Sequence, residues 1–425
     1  MHKVFKSSIS DGVALTCVVT DKFKTGSLSV NLITPLSRET ASATALLPRV
    51  LRRGSASLPD MGHIAVALDE LYGARIEPIV RKRGEMQCIG FYADFPDERY
   101  LPGGENILDK LTSHVGEVLL DPNMRDGLLL GDYVDGEKNN LIDDIHAAIN
   151  DKRSYAVDRL LEEMCAAEAY GISKLGSEIE AQAVTAQALT EHYRGIIKNS
   201  TIKVFYCGTS EPERVESALR EALRNLPEQS KPSMPKTEIV LYPPDGSPRR
   251  FSDALDVTQG KLTMGFRLGK AMAAPNYPVL MVLNAIYGGG VTSKLFINVR
   301  EKLSLCYYAS STIDKHKGIM VVSSGVEFSN FDTAQNEILL QLENVKNGDI
   351  SDWELQSAKR TVITLIKSAM DRPGGLEELY FDSAVSAVTY DPADLCDMIE
   401  AVTLDNVVEA ASEIRTDSVY TIEGA

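Results

Sequence analysis

Six prolines fall between Pro227 and Arg250, in the run PEQSKPSMPKTEIVLYPPDGSPRR, and no other feature constrains the fold of this chain as much. Proline fixes φ and lacks the N–H that a helix or a central strand would use, so the stretch reads as a linker. It divides the 425 residues into two parts, each close to the size of one ordinary domain. The expected organisation is an N-terminal domain over 1–226, a linker over 227–250 and a C-terminal domain over 251–425.

Both parts follow the same plan. In the first, Val13–Val19 and Leu28–Thr34 have strand character, and a helical stretch follows over Ala41–Leu51. From Pro59 to Tyr72, Ile64, Leu68 and Leu71 recur at helical spacing, and Gly73 supplies a stop. Cys88–Phe95 returns to strand character and Ile107–Leu119 to helix. The second part repeats the order, with strands at Lys261–Arg267, Tyr307–Thr312 and Gly318–Val326. Its helices are expected at Tyr277–Ile286 (ended by Gly288, Gly289 and Gly290), Thr333–Val345 and Trp353–Ser368. The fold class is therefore α+β, built as two homologous halves. Each half is expected to be a mostly antiparallel sheet with helices packed on one face. The repeat rests on the order of elements, because residue identity between the halves is weak.

A net charge of −16 argues against a nucleic-acid or anionic-membrane surface, either of which needs clustered Lys and Arg. No stretch has the length of apolar sequence that spans a bilayer, and the N-terminus lacks an apolar run followed by a small-residue cleavage site. The six cysteines, Cys17, Cys88, Cys165, Cys207, Cys306 and Cys396, are scattered without a C-x-x-C pair. They read as free thiols in a reducing compartment, and the cytoplasm is the expected location.

The string LNAIYGGGVTSKLFINVREKLSLCYYASS, Leu283–Ser311, resembles the C-terminal-domain signature of the insulinase-like and mitochondrial-processing-peptidase-like metallopeptidases. QGKLTMGF (Gln259–Phe266) resembles the strand before that signature, and WELQSAK (Trp353–Lys359) a later helix. In the first half, LRRGS (Leu51–Ser55), the run ending LDELYGA, and YGISKLGSE (Tyr170–Glu178) resemble motifs of the same family in the same order. The resemblance spans nearly the whole chain and implies the insulinase-like fold.

Active members of that family carry His-x-x-Glu-His on the first long helix. Two imidazoles hold Zn²⁺, the Glu takes a proton from the bound water, and a Glu on a later helix is the third ligand. Here the motif positions are occupied by Ala45, Pro48 and Arg49, so no catalytic residue and no metal ligand is expected. The third-ligand helix resembles Glu137–Ile145 (EKNNLIDDI), with Glu137 at the family's first acidic position and Asp144 at that of the ligand. Asp144 reads as a solvated or paired carboxylate, with Arg49 as its candidate partner. The histidines, His2, His63, His114, His146, His192 and His316, never fall two to a helical turn, and His114-Val-Gly-Glu117 lacks a closing His at Val118. Gly288–Gly290 is followed by neither Gly-Lys-Ser/Thr nor the other phosphate-loop spacing.

What the resemblance leaves in place is Arg300 and Tyr307, the family's pair of substrate-backbone contacts. A guanidinium and a phenol are suitable donors to a peptide carbonyl. The alternative is that Arg300 pairs with Glu301 and Tyr307 packs in a sheet. The resemblance implies a pseudopeptidase subunit without a cofactor of its own, zinc being carried by a homologous heterodimer partner that closes with it around a peptide substrate. A homodimer stays open, and the competing expectation is a stand-alone structural or binding protein. No nucleic-acid or membrane partner is expected.

Overall fold

The computed structural model describes residues 3–102, 106–228, 233–272, 276–386 and 390–425. The chain forms two compact units. The first comprises Met1–His146, Ile172–Lys236 and Ala369–Ser386; the second comprises Ala147–Gly171, Thr237–Ser368 and Ala387–Ala425.

The first unit holds a six-stranded sheet of β1 (Lys3–Ser10), β2 (Val13–Val19), β3 (Thr25–Pro35), β4 (Arg75–Arg83), β5 (Met86–Pro96) and β6 (Thr201–Gly208). Their spatial order is β1-β2-β6-β3-β5-β4. Every neighbouring pair is antiparallel except β2 with β6. Alternation along β3 sends Leu28, Val30 and Leu32 into the main core. There they meet Ala45, Leu46, Leu47 and Val50 of helix Ala41–Leu51 and Leu111, Val115 and Val118 of helix Ile107–Leu120.

The opposite face of this sheet is also covered, by helix Pro373–Ala384. Leu376 and Tyr380 pack on Val18, Phe205 and Cys207, and Phe381 packs with Ile33 and Cys88. Glu377 is buried beneath this helix; it accepts from Ser29 Oγ at 2.8 Å and Arg81 Nη1 at 2.9 Å, and Asn31 Nδ2 donates to Ser29 Oγ at 3.1 Å. A carboxylate out of water needs such partners to stay ionised.

The second unit holds β7 (Arg249–Leu255), β8 (Gly260–Arg267), β9 (Cys306–Asp314), β10 (Ile319–Val326) and β11 (Arg415–Gly424), ordered β9-β10-β8-β11-β7. Only β11 with β7 is parallel. This is the first sheet's order from β4 to β2, strand for strand, with the parallel pair in the same place. The duplication expected from the order of elements is therefore present in topology, and β1 is the first sheet's addition. Helix Lys152–Met164 packs on one face through Ala156, Leu160 and Met164 against Ile319, Val321, Tyr420 and Ile422. At Gly265 a Cβ would sit 2.4 Å from Met164 Sδ, so the helix lies close against this strand.

The compact units thus differ from a simple division at 227–250. Residues 229–232 of that stretch lie outside the described residues, and Arg249 and Arg250 already belong to β7. Helix Lys152–Met164 belongs to the second unit and helix Pro373–Ala384 to the first. Each covers the sheet face left open by the main helical layer, so helices lie on both faces and not on one alone. Proline content marks where the backbone cannot be regular; it does not report which sheet buries an amphipathic helix elsewhere in the chain.

Candidate functional site

Helix Ala41–Leu51 forms as its apolar run predicts, and its buried residues include Ala45, Leu46, Leu47 and Pro48. The Ala45 methyl is fully enclosed in the main core. Pro48 sits inside the helix, where it has no N–H to give to the preceding turn and no group that takes a proton. Beyond the helix, Gly54 turns the chain so closely that a Cβ would lie 2.4 Å from the Pro59 carbonyl oxygen. Glu117 secures that turn, accepting from Ser55 Oγ at 2.9 Å and Ser57 N at 2.8 Å. Burial pushes the Glu117 carboxyl up, but these bonds outweigh it and hold the group below its ordinary value.

Arg49 and Arg53 lie one turn apart and reach the same neighbour, helix Gly131–Ala147. Arg49 Nη2 meets Asp144 Oδ2 at 2.7 Å, and Arg53 Nη1 meets Glu137 Oε1 at 3.0 Å. Glu137 and Asp144 are seven residues apart, two turns on one helix face. The Arg53 guanidinium also lies 5.2 Å from the Tyr133 ring centroid. The two acidic positions that the resemblance singles out are therefore spanned by guanidinium groups.

Zinc does not fit this site. Its two imidazole positions are a methyl group and a guanidinium, and the second cation repels a divalent metal. Three of the described histidines are engaged separately. His192 Nε2 is 2.8 Å from Thr44 Oγ1, and burial lowers its pKa. His146 pairs with Glu178 at 2.7 Å and His63 with Asp60 at 2.9 Å. His114 is pushed down by burial, with Glu117 acting the other way. His2 lies outside the described residues. Among the described residues no group of three or more His, Cys, Asp or Glu is placed to share a metal ion.

In the second unit, helix Tyr277–Tyr287 stops at Gly288, where a Cβ would lie 2.6 Å from Ser311 Oγ. Gly288 therefore permits close passage beside β9, and its carbonyl accepts from Ser311 N at 3.0 Å. The next element, Leu295–Lys302, is a π-helix. Such wide turns are rare and concentrate at functional sites. Leu295 and Val299 anchor it while Arg300 points outward, its guanidinium 4.6 Å from the Phe296 ring centroid and 3.6 Å from Glu301.

Tyr307 is an extra residue in β9. The register with β10 passes from Cys306↔Val326 to Tyr308↔Gly325, leaving Tyr307 as a bulge. Bulges re-aim side chains, and this one leaves Tyr307 62% exposed. Its hydroxyl donates to Glu327 Oε1 at 2.7 Å, which raises its pKa. Tyr307 is thus presented outward and not packed in the sheet, whereas Arg300 does touch Glu301. The two side chains are held by separate partners. Phe296, Glu327 and the bulge were invisible in the sequence, because a bulge is defined by the opposing strand's register.

A family model described as the peptidase M16 inactive domain matches residues 183–362. Over 413 residues the chain is 33% identical to a probable inactive metalloprotease, YmfF, of Bacillus subtilis, covering 97% of this chain and 96% of that one. The chain belongs to the M16 peptidase family. A conserved protein from Enterococcus faecalis V583 shares the fold with a TM-score of 0.88 at 25% identity, and 99% of each chain is covered. A peptidase M16 inactive domain from Pseudomonas fluorescens superposes with a TM-score of 0.80 at 16% identity, covering 100% of this chain and 98% of that one. Within the M16 family this chain is a homologue of a probable inactive metalloprotease. No helix among the described residues is long and apolar enough to cross a membrane.

Proposed function

We propose that this chain is the non-catalytic subunit of a two-chain M16 peptidase. It contributes Arg300 and Tyr307 to a peptide held at the zinc site of a homologous partner, in the cytoplasm. The observation that carries this reading is the contrast between the two units. Ion pairs span the acidic positions of the first, while a π-helix and a bulge hold a guanidinium and a phenol outward in the second. The Arg300 guanidinium has N–H groups to give a peptide carbonyl whose oxygen gains charge during hydrolysis, and the Tyr307 phenol becomes a donor to it when its hydroxyl turns from Glu327. The partner supplies zinc and the activated water; this chain orients the peptide. Its net charge of −16 suits extended or basic peptides.

The test mixes this chain with a zinc-motif homologue and follows peptide cleavage. Activity is expected only in the mixture, and Arg300→Ala should lower kcat/KM by about 10²-fold, the usual effect of losing one oxyanion donor. Cleavage by the homologue alone at the same rate, or stoichiometric zinc on this chain alone, overturns the reading. The Arg300–Glu301 contact favours a second reading, a stand-alone structural or binding protein. In that case Arg300→Ala leaves the mixture's activity unchanged.

A further inference from the structure

A cleft of about 550 Å³ lies in the second unit between the π-helix Leu295–Lys302, helix Phe331–Lys346 and the start of helix Asp352–Ala369. Its floor is closed by a chain of hydrogen bonds. Lys302 Nζ donates to Asn298 Oδ1 at 3.0 Å, Asn298 Nδ2 to Gln341 Oε1 at 2.7 Å, and Gln341 Nε2 to Glu337 Oε1 at 2.6 Å. Lys294, almost wholly buried, is neutralised by Glu354 at 2.9 Å.

Three features of the lining remain unmet. The Asp349 carboxylate, exposed just beyond helix Phe331–Lys346, has no side-chain partner among the described residues. Among the described residues Glu337 accepts from Gln341 alone, which leaves one oxygen open. Trp353, the chain's single tryptophan, stands 56% exposed. An indole left in water, lining the same cleft as two incompletely paired carboxylates, is a poor solvent face and a good cation receptor. Trp gives the strongest cation–π partner and dominates binding hot spots.

We propose that this cleft docks a peptide segment through an Arg or Lys side chain. The cation stacks on the Trp353 indole and its charge is met by Asp349 and Glu337. The π-helix forms one wall, so the same element that carries Arg300 also shapes this second site. The opposing charge is Lys302, exposed at the rim and held by Asn298. It repels a cationic guest and tunes affinity downward. This site stands apart from Arg300 and Tyr307 and does not depend on a zinc-carrying partner.

Because Trp353 is the only tryptophan, its fluorescence in the full chain alone reports occupancy directly. The probe is the acetylated, amidated pentapeptide Leu-Ala-Arg-Ala-Leu, compared with the same peptide carrying neutral citrulline. A saturable change is expected with the arginine peptide, with binding about tenfold weaker for citrulline. Asp349→Asn should weaken binding by a similar factor and Lys302→Ala should tighten it a few-fold, in both cases with an unchanged circular dichroism spectrum. No saturable change up to about 1 mM peptide overturns the proposal. So does equal binding of the citrulline peptide, or an affinity that Asp349→Asn and Lys302→Ala leave unmoved.

Discussion

At the scale of single residues, the first unit holds a charge cross-link: Arg49 to Asp144 and Arg53 to Glu137 join helix Ala41–Leu51 and the turn after it to helix Gly131–Ala147. The resemblance implies that these are the positions at which active members hold zinc. Asp144 is 55% exposed, so water screens the outer pair and its contribution is small. A double-mutant cycle on Arg49→Ala and Asp144→Ala, read by urea melts, should give a coupling below about 1 kcal/mol. The lost chemistry is confined to few positions, which makes it restorable. The combined substitution Ala45→His, Pro48→Glu, Arg49→His and Asp144→Glu is expected to bind one zinc per chain by metal analysis. The same set lacking Ala45→His should bind far more weakly, because the buried methyl at 45 offers no donor. Tight zinc binding by the set without Ala45→His would show that the motif positions are misassigned.

At the scale of elements, the segment after helix Lys152–Met164 is tied to its sheet by buried charges. Arg267 reaches Asp417 at 2.8 Å, Lys317 reaches Glu168 at 2.7 Å, and Arg249 reaches Asp417 at 2.6 Å. Arg267 and Asp417 are almost fully buried, so removing one partner strands the other. Asp417→Asn is expected to cost about 3–5 kcal/mol in chemical denaturation. Burial pushes Asp417 and Glu168 up, yet the hydrogen bonds from Arg249, Arg267 and Lys317 outweigh it and hold both below their ordinary values. A depressed folded pKa means that their stabilisation is complete above the unfolded carboxylate range near pH 4 and is lost as pH falls through the lower folded values. Melting temperature should therefore drop below about pH 4 in the parent chain, and drop less in Glu168→Gln. An equal acid response in both would remove this cluster as the cause.

At the scale of the whole molecule, helix Pro373–Ala384 belongs to a unit whose sheet was completed some 165 residues earlier, at Gly208. Leu376, Tyr380 and Phe381 are each nearly fully buried. At roughly 1.5–3 kcal/mol apiece, together they are comparable with the lower part of a domain's net stability of about 5–15 kcal/mol. A fragment ending at Lys236 is therefore expected to expose Val18, Phe205 and Cys207, to bind hydrophobic dyes and to melt without cooperativity. Fusing residues 369–386 back through a flexible linker should restore a cooperative transition. A fragment that melts cooperatively without that helix would refute the exchange of elements as a stability requirement.

The same comparison shows how far the sequence reaches. Val13–Val19 and Ala41–Leu51 were legible to the residue, and the order of later elements held, because their apolar periodicity is set within the element itself. β4, RIEPIVRKR, was not legible: it is an edge strand, and its charges and proline are tolerated because only β5 pairs with it. β7, whose first two residues close the proline-rich stretch, was not legible for a similar reason: it is an edge strand held by its parallel neighbour. At the candidate site, the identities of Ala45, Pro48 and Arg49 are read directly in the sequence, and a methyl, a proline ring and a guanidinium offer a metal no donor. The sequence by itself thus determined the duplicated plan and the family resemblance. Only the tertiary structure decided which sheet each exchanged helix covers, that Tyr307 stands on a bulge, and that Arg49 meets Asp144. Those depend on register and burial between segments far apart in the chain, and local periodicity carries no record of either.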